Sequence, residues 1–507
     1  MHTRSKGLGH VLALDVGTSS VRALLFDLLG RPVPGAVAQI AYRPRVDAQG
    51  AAEVDAGRLV GLTWRAIQAL LGATRQTLAD APVRAVSIST FWHSLLASDG
   101  SGQPLTPIYL WADSRSWREA QDLRETVDPE AVRHRTGCLV HPSYWPAKLA
   151  WLRKLRPDLW SRPVRWLSFG DLLHWRLFGA PLSSVSMASG TGLFELEGLR
   201  WDSELCSVLQ VPSETLPRLG EASQGLLAPF ASRWPELASV PWLTAMGDGA
   251  LANLGSACAD TAHRALTVGT SGALRVLYRG RPPERLPDGL WCYRLDAQRP
   301  VIGGALSSGG NIYAWLVATL AVDVGILERQ VARIPPTSHG LTFLPHLAGE
   351  RSPGFALHAT GALAGLTLAT TPVEIVRAGL ESIAIEFARI DGRLDQVLPK
   401  DAVLVANGHG LLSSPGWMQI MADAIGKPLA AERGSEASAR GAAVMALEHL
   451  GLLDSDHLRP SLGRSFVPVP AATRLYGRQL AKQEALYRVL VAERALDSPP
   501  ANPQGIG

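Results

Sequence analysis

The chain carries nearly the same sentence twice. Residues 12–26 read LALDVGTSSVRALLF and residues 265–278 read ALTVGTSGALRVLY. Each copy sets Val-Gly-Thr-Ser, at Val16–Ser19 and at Val268–Ser271, between two β-rich runs, which is the pattern of a hairpin. The second copy begins 252 residues after the first in a chain of 507. That period is too long for a solenoid and points to two similar domains facing each other. The length agrees, because it exceeds what one hydrophobic core usually supports. A glycine in such a turn lets the backbone approach a ligand, and the following N–H and hydroxyl groups can hold phosphate oxygens. Two copies could grip one polyphosphate from both sides of a cleft. Two unrelated hairpins could also share four residues, but the flanking pattern and the half-length spacing favour the phosphate role.

Composition removes several classes. Hydrophobic residues make up 47% and charged residues 19%, as in globular chains. The net charge is +4, and the Arg-rich stretches at Arg43–Arg45 and Arg275–Arg285 are interrupted by Pro and Gly. Nucleic-acid binding would need a concentrated basic stripe, so none is expected. The cysteines, Cys138, Cys206, Cys258 and Cys292, form no CxxC pair, which argues against a zinc knuckle or redox couple and fits a reducing cytosol. The start has no apolar h-region, and no run of about 18 uncharged apolar residues occurs. A cytoplasmic chain without a membrane span is therefore expected. The stretch from Asp497 to Gly507 is rich in Pro, Gly and Ala and reads as a disordered tail.

Strands alternating with helices argue an α/β fold. After the first hairpin come a strand at Val37–Tyr42, a helix at Ala56–Leu71, and a strand at Val83–Ser89 ending in Phe91-Trp92-His93-Ser94. Leu110–Arg115 reads as a strand end carrying Asp113 and Arg115, with helices following at Ser143–Lys154 and Phe169–Leu177. The apolar strand Pro241–Met246 breaks into Gly247-Asp248-Gly249, before a helix at Ala250–Cys258. A strand at Val301–Leu306 ends in Ser307-Ser308-Gly309-Gly310-Asn311. Thr371, Pro372 and Glu374 form a capping box that starts a helix running to about Ile390. A short buried strand, Ala402–Ala406, leads through Gly408-His409 to a helix from Ser414-Pro415 to Gly426, and a last one spans Glu436–Leu450. The expected division is residues 1–245, 246–490 and a tail at 491–507.

Six motifs, in order, resemble the FGGY family of carbohydrate kinases, and in particular its gluconokinase-like branch: LALDVGTSSVRALLFD, WADSR, GDGALANLG, TVGTSGALR, LPHLAGERSPGF and GHGLLSSPGWMQIMADAIGKP. Any one is weak, but their order and spacing over residues 10–490 are specific. The resemblance implies two actin-like (ribonuclease-H-like) domains with a central cleft. It also implies an ATP-dependent kinase using Mg²⁺, with a sugar or sugar acid as the small-molecule partner and a homodimer among the expected assemblies.

Phosphoryl transfer to a hydroxyl needs a proton acceptor, a charge-neutralising metal and donors around the phosphates. Asp248 follows an apolar strand between two glycines that leave room for substrate. It could serve only as a turn former or helix cap, but the resemblance implies that it takes the proton of the attacking hydroxyl. Asp15, beside the first turn, could bond nearby N–H groups or hold Mg²⁺ through water, shared with Asp248. Arg22 is either an exposed strand residue or a contact to phosphate or substrate. Gly17, Thr18 and Ser19 in one turn, and Gly269, Thr270 and Ser271 in the other, should cradle the phosphates. Gly309, Gly310 and Gly408 are implied on the adenosine side. There the chain departs from the family, with His409 where relatives usually have a second glycine, so the adenine pocket should be altered. His93, Ser94, Trp111, Asp113 and Arg115 should form the acceptor pocket. The similarity of FWHSLL, TGCLVHPSYWPAKLAWL and CYRLDAQRPVIGGALSSGGNIYAWL to gluconokinase-like relatives implies gluconate, which wants a cation, with Lys148 and Arg115 as candidates. Xylulose or another ketose or polyol is the alternative acceptor. An actin-like ATPase without transfer activity is the alternative class.

Overall fold

The computed structural model describes residues 9–47, 49–356, 358–434 and 436–492. Two seven-stranded sheets repeat one topology. In the first, His10–Val16 pairs antiparallel with Ser20–Asp27, which pairs antiparallel with Pro32–Ala41. On its other side His10–Val16 runs parallel to Val83–Thr90. In the second, His263–Val268 pairs antiparallel with Gly272–Leu277, which pairs antiparallel with Pro300–Leu306. Its other neighbour, Val403–Asn407, is parallel. The sequence duplication is thus a duplication of hairpin, third strand and parallel partner.

His10–Val16 is buried on both faces, which is why it reads as a near-continuous apolar run rather than an alternating one. Helices supply the cover. Ala56–Ala73 begins with Asp55 capping the Arg58 N–H and turns Leu59, Ile67, Leu70 and Leu71 onto the first sheet. Pro372–Leu394 begins with the expected Thr371–Glu374 capping box and covers the second sheet with Ile383, Phe387 and Ile390.

The chain departs from the expected organisation in three places. The run Pro241–Met246 is two short strands, Trp242–Leu243 and Met246–Gly247, both parallel to Val83–Thr90. Pairing with the first sheet therefore continues two residues past position 245. Leu110–Arg115 is not a strand end, since the strand is Ile108–Tyr109 and Trp111 to Arg115 form turns. A helix not anticipated, Pro470–Tyr487, runs on through a π-turn at Arg488–Ala492, and Val491 there is buried against Leu344 and Ala359. Most of the expected tail, residues 493–507, lies outside the described residues.

One later helix ties the halves together. Ala437–His449 packs along Asp248–Gly255 and onto the strands His10–Val16 and Val83–Thr90. Gly255 and Gly441 allow that approach: a Cβ on Gly441 would lie 1.9 Å from the Leu251 carbonyl oxygen. Among the described residues no single helix is long and apolar enough to cross a membrane.

Candidate active site

Asp248 is the first residue of Asp248–Gly255, at the point where the chain leaves the first sheet. It is not a side-chain cap; its Oδ1 accepts only from the adjacent Gly249 N–H, at 2.8 Å. The flanking glycines have a different purpose from the one expected. A Cβ on Gly247 would lie 1.9 Å from the Trp92 ring, and one on Gly249 would lie 2.8 Å from it. The space they leave is filled by the Trp92 indole, whose N–H donates to the Ser186 carbonyl.

Asp248 borders a cavity of about 170 Å³ to which both halves contribute. Phe91, Trp92, His93 and Trp111 come from the first half; Thr267, Ser271, Arg275, Trp291, Tyr293 and Arg351 come from the second. Burial pushes the Asp248 carboxyl up to about 6, assisted by the Asp15 charge and opposed by Arg275. That places it where a carboxylate can hold a proton in transit near neutral pH.

Arg275 stands beside it. Its Nε donates to Asn253 at 3.1 Å and its Nη2 to Thr267 at 2.9 Å. Burial pulls its pKa down and Asp248 pulls it up, so the two groups sustain each other's charged forms.

One wall of the cavity is aromatic. Tyr293 stacks on Trp291 with centroids 4.3 Å apart, meets Trp92 edge-on at 4.9 Å, and shares a 2.6 Å hydroxyl contact with Tyr144. His93 is held in the left-handed region at φ 66°, a costly conformation for a non-glycine residue. Its Nδ1 faces the Gly190 carbonyl, which can only accept, so Nδ1 carries the proton. Burial and the Arg351 charge pull the ring down to about 3, so it is neutral and Nε2 is left as an acceptor.

The other expected acceptor contacts lie elsewhere. Ser94 is fully buried and its Oγ accepts from the Phe169 N–H, so it braces the loop from behind. Asp113 accepts from the Ala52 N–H at 3.0 Å and pairs with Arg115. Arg115 also pairs with Glu53 and lies 4.8 Å over Trp151. Lys148 is buried and donates to the Pro142 carbonyl, with burial pulling its pKa down to about 7. None of these four lines the cavity.

The two glycine turns close with different spans: Gly17 N–H donates to Ser20 O three residues on, and Gly269 N–H to Ser271 O two residues on, both at 2.9 Å. Thr18 is half-buried while Ser19 and Thr270 are exposed. The expected adenosine-side glycines gather behind the second turn. Gly310 N–H donates to Gly269 O at 2.8 Å, and a Cβ on Gly309 would lie 2.8 Å from Ser271. Gly408, at φ 91°, brings its backbone so close that a Cβ would sit 2.5 Å from Val268 O. His409 begins a short helix, but its side chain lies outside the described residues.

Asp15 and Arg22 form an ion pair, and Arg22 also pairs with Glu436. The expected free contact of Arg22 to phosphate is thus occupied by two carboxylates. Among the described residues no group of three or more His, Cys, Asp or Glu could hold a metal. Mg²⁺ needs no such cage, because it keeps waters and takes one or two carboxylates plus phosphate oxygens. Asp15 and Asp248, close enough for one charge to lift the other's pKa, fit that donor set. Bound there with ATP, the ion would neutralise charge on the phosphates.

Arg275, Arg351, Trp291 and Tyr293 were not singled out from the sequence. Arg275 could have been: in a strand, period two puts it on the face of Ser271 and Ala273. Arg351 lies in a segment without regular structure, so periodicity could not have found it, and only its place in the motif LPHLAGERSPGF pointed to it.

Paired sheets of one topology, two matched glycine turns and a half-buried carboxylate in the cleft between them define a phosphotransferase of the actin-like class. The chain belongs to the FGGY family of carbohydrate kinases, whose N-terminal domain model matches residues 10–255 and whose C-terminal domain model matches residues 265–448. It is similar to a gluconokinase of Bacillus subtilis (strain 168), 27% identical, with 91% of this chain and 92% of that one covered. It is also similar to a glycerol kinase of Leptothrix cholodnii, 33% identical, with 87% and 90% covered. A solved xylulose kinase from Lactobacillus acidophilus superposes with a TM-score of 0.87 at 26% identity, covering 95% of this chain and 98% of that one.

Proposed function

We propose that the chain transfers the γ-phosphate of Mg-ATP to a terminal hydroxyl of a sugar acid, converting D-gluconate to 6-phosphogluconate. The observation that carries the reading is Asp248, half-buried between the second glycine turn and the aromatic acceptor wall with its carboxyl raised to about 6. The acceptor hydroxyl would give its proton to Asp248 as its oxygen bonds to phosphorus and the bond from phosphorus to the ADP oxygen breaks. Arg275 would hold Asp248 ionised until that proton arrives. Asp15 and Asp248 would hold Mg²⁺, and the backbone N–H groups at Gly17–Ser19 and Gly269–Ser271 would hold phosphate oxygens. Gluconate is supported by the gluconokinase relative and by the basic lining of the cavity, where Arg275 and Arg351 stand against Asp248 alone. The cytoplasm and a homodimer complete the reading.

The glycerol kinase likeness supports a second acceptor class, neutral polyols. A panel of D-gluconate, D-xylulose, glycerol and D-glucitol with purified protein and Mg-ATP decides between them, with the phosphate position read by NMR. Gluconate turnover with phosphate on O6 is expected. Phosphorylation of D-xylulose or glycerol with no turnover of gluconate overturns the choice. ATP hydrolysis indifferent to every acceptor and to Asp248→Asn would instead point to an ATPase without transfer.

A further inference from the structure

The cavity holds two guanidinium groups, and they are not equivalent. Arg275 is tied to Asn253 and Thr267 and faces Asp248. Arg351 has no hydrogen-bond or ion-pair partner for its side chain among the described residues. Its Nε is buried and unsatisfied, and its guanidinium lies 4.8 Å over the Trp111 ring. Arg351 as a whole is half-buried, but its Nε is shut off from water without a partner, and an indole face recovers only a small part of what such a donor loses. The surrounding groups do not supply the missing anion. His93 is neutral, Lys148 behind it is a cation or neutral amine, and Tyr144 and Tyr293 stay protonated because burial raises them. Asp113, the nearest carboxylate to Lys148, is already bonded to Arg115. Among the charged side chains that line the cavity, Asp248 alone is acidic, and it faces Arg275 as well as Arg351.

We propose that Arg351, held flat against Trp111, is the specificity residue that binds the carboxylate of the acceptor. Its planar fork suits a carboxylate through two parallel N–H···O bonds. Trp111 fixes the plane of that fork, and the wall of Trp92, Trp291 and Tyr293 takes the C–H faces of the chain. Asp248 and Arg351 border the same cavity as separate groups, so one acceptor with its anion at one end could meet both, its far hydroxyl at Asp248. The inference rests on the sugar-acid reading above and adds which residue enforces it.

D-Gluconate and D-glucitol form a matched pair, differing only in carboxylate against hydroxymethyl at one end. Their dissociation constants can be read from quenching of tryptophan fluorescence, since Trp92, Trp111 and Trp291 line the cavity. The wild-type protein should bind gluconate more tightly than glucitol. Arg351→Gln should lower that preference about 10- to 100-fold, the range for losing a charged hydrogen bond. Arg351→Lys should restore part of it, and circular dichroism should report each variant as folded. Should Arg351→Gln misfold, Trp111→Leu, which removes the surface that orients the fork, should reduce the same preference. Equal weakening of both ligands, or gluconate binding that ignores Arg351, overturns the inference while leaving the sugar-acid reading intact. A wild-type protein that binds glucitol but not gluconate overturns both.

Discussion

Arg22 and Glu436 form an ion pair between the first hairpin of one half and the residue that opens the helix Ala437–His449 in the other. The same guanidinium holds Asp15, so one cation fastens the carboxylate beside the first glycine turn to the later half of the chain. Asp15 is also one of the charges that lift Asp248. Arg22→Met leaves the Asp15 charge uncompensated, which should raise Asp248 further. The acid limb of the kcat/KM profile for the acceptor should then move to higher pH, and more clearly at low salt, where screening is weak. An acid limb that stays put or moves down in Arg22→Met contradicts this linkage.

With Asp248 as the proposed base, its own titration should set the wild-type profile. With its carboxyl at about 6, activity should fall with unit slope below that pH as the base becomes protonated. Arg275→Met removes the nearest cation that opposes the shift, so the limb should move upward. Asp248→Asn should cost about 10²- to 10⁴-fold in kcat, the usual share of a general base, while ATP binding by calorimetry persists. Stability should change in the opposite direction. The folded state raises this carboxyl above its unfolded value, so its destabilising effect is absent below about pH 4 and complete above about pH 6. Asp248→Asn should therefore raise Tm at pH 8 and leave it nearly unchanged at pH 4, with a gain of at most ~3 kcal/mol at the higher pH. A Tm that falls equally at both values would mean that the carboxylate is structural.

Much of this was legible in the sequence. The repeated Val-Gly-Thr-Ser gave the hairpins and their mutual correspondence, because hairpin pairing is a local property that a short segment encodes. The capping box at Thr371 was equally plain. The acceptor pocket was only half legible. Phe91, Trp92, His93 and Ser94 are consecutive, but a chain cannot turn four successive side chains into one cavity, and Ser94 points the other way to receive the Phe169 N–H. Asp113 and Arg115 look like ligands because they are charged beside Trp111. Yet Glu53, 62 positions before Arg115, completes a cluster that no local reading could foresee. Arg351 reaches the cavity from an irregular segment, where periodicity has nothing to say.

The contact of Trp92 with the Asp248 loop gives a steric prediction. Gly247 has φ −68°, an angle any residue can adopt, so its need for glycine is a matter of space alone. Gly247→Ala would push a methyl group into the Trp92 ring, 1.9 Å away. Overpacking of this kind usually costs about 1–3 kcal/mol. It should also displace Asp248, lowering kcat more than it raises KM. Trp92→Leu in the Gly247→Ala background should recover stability measured by urea unfolding. If Gly247→Ala is as stable and active as wild type, the indole is not seated on this loop.

The second sheet is underpinned by a charge cluster far from the cleft. Arg264 is fully buried and bonds Asp391, Asp395 at 2.7 Å and the Pro399 carbonyl at 2.7 Å; Lys427 reaches Asp391 at 2.6 Å. It ties the start of His263–Val268 to the end of Pro372–Leu394. Removing one member leaves the others buried without compensation, so Arg264→Met should cost about 3–5 kcal/mol in urea unfolding. Replacing the set together by apolar residues of similar volume, as in Arg264→Met with Asp391→Leu, Asp395→Leu and Lys427→Met, should return most of that loss. Because the cluster touches neither glycine turn nor Asp248, kcat/KM at temperatures well below unfolding should be unchanged in both variants. A quadruple variant no more stable than Arg264→Met would show that the cluster stabilises the sheet through its charges and not merely through the penalty of stranding one of them.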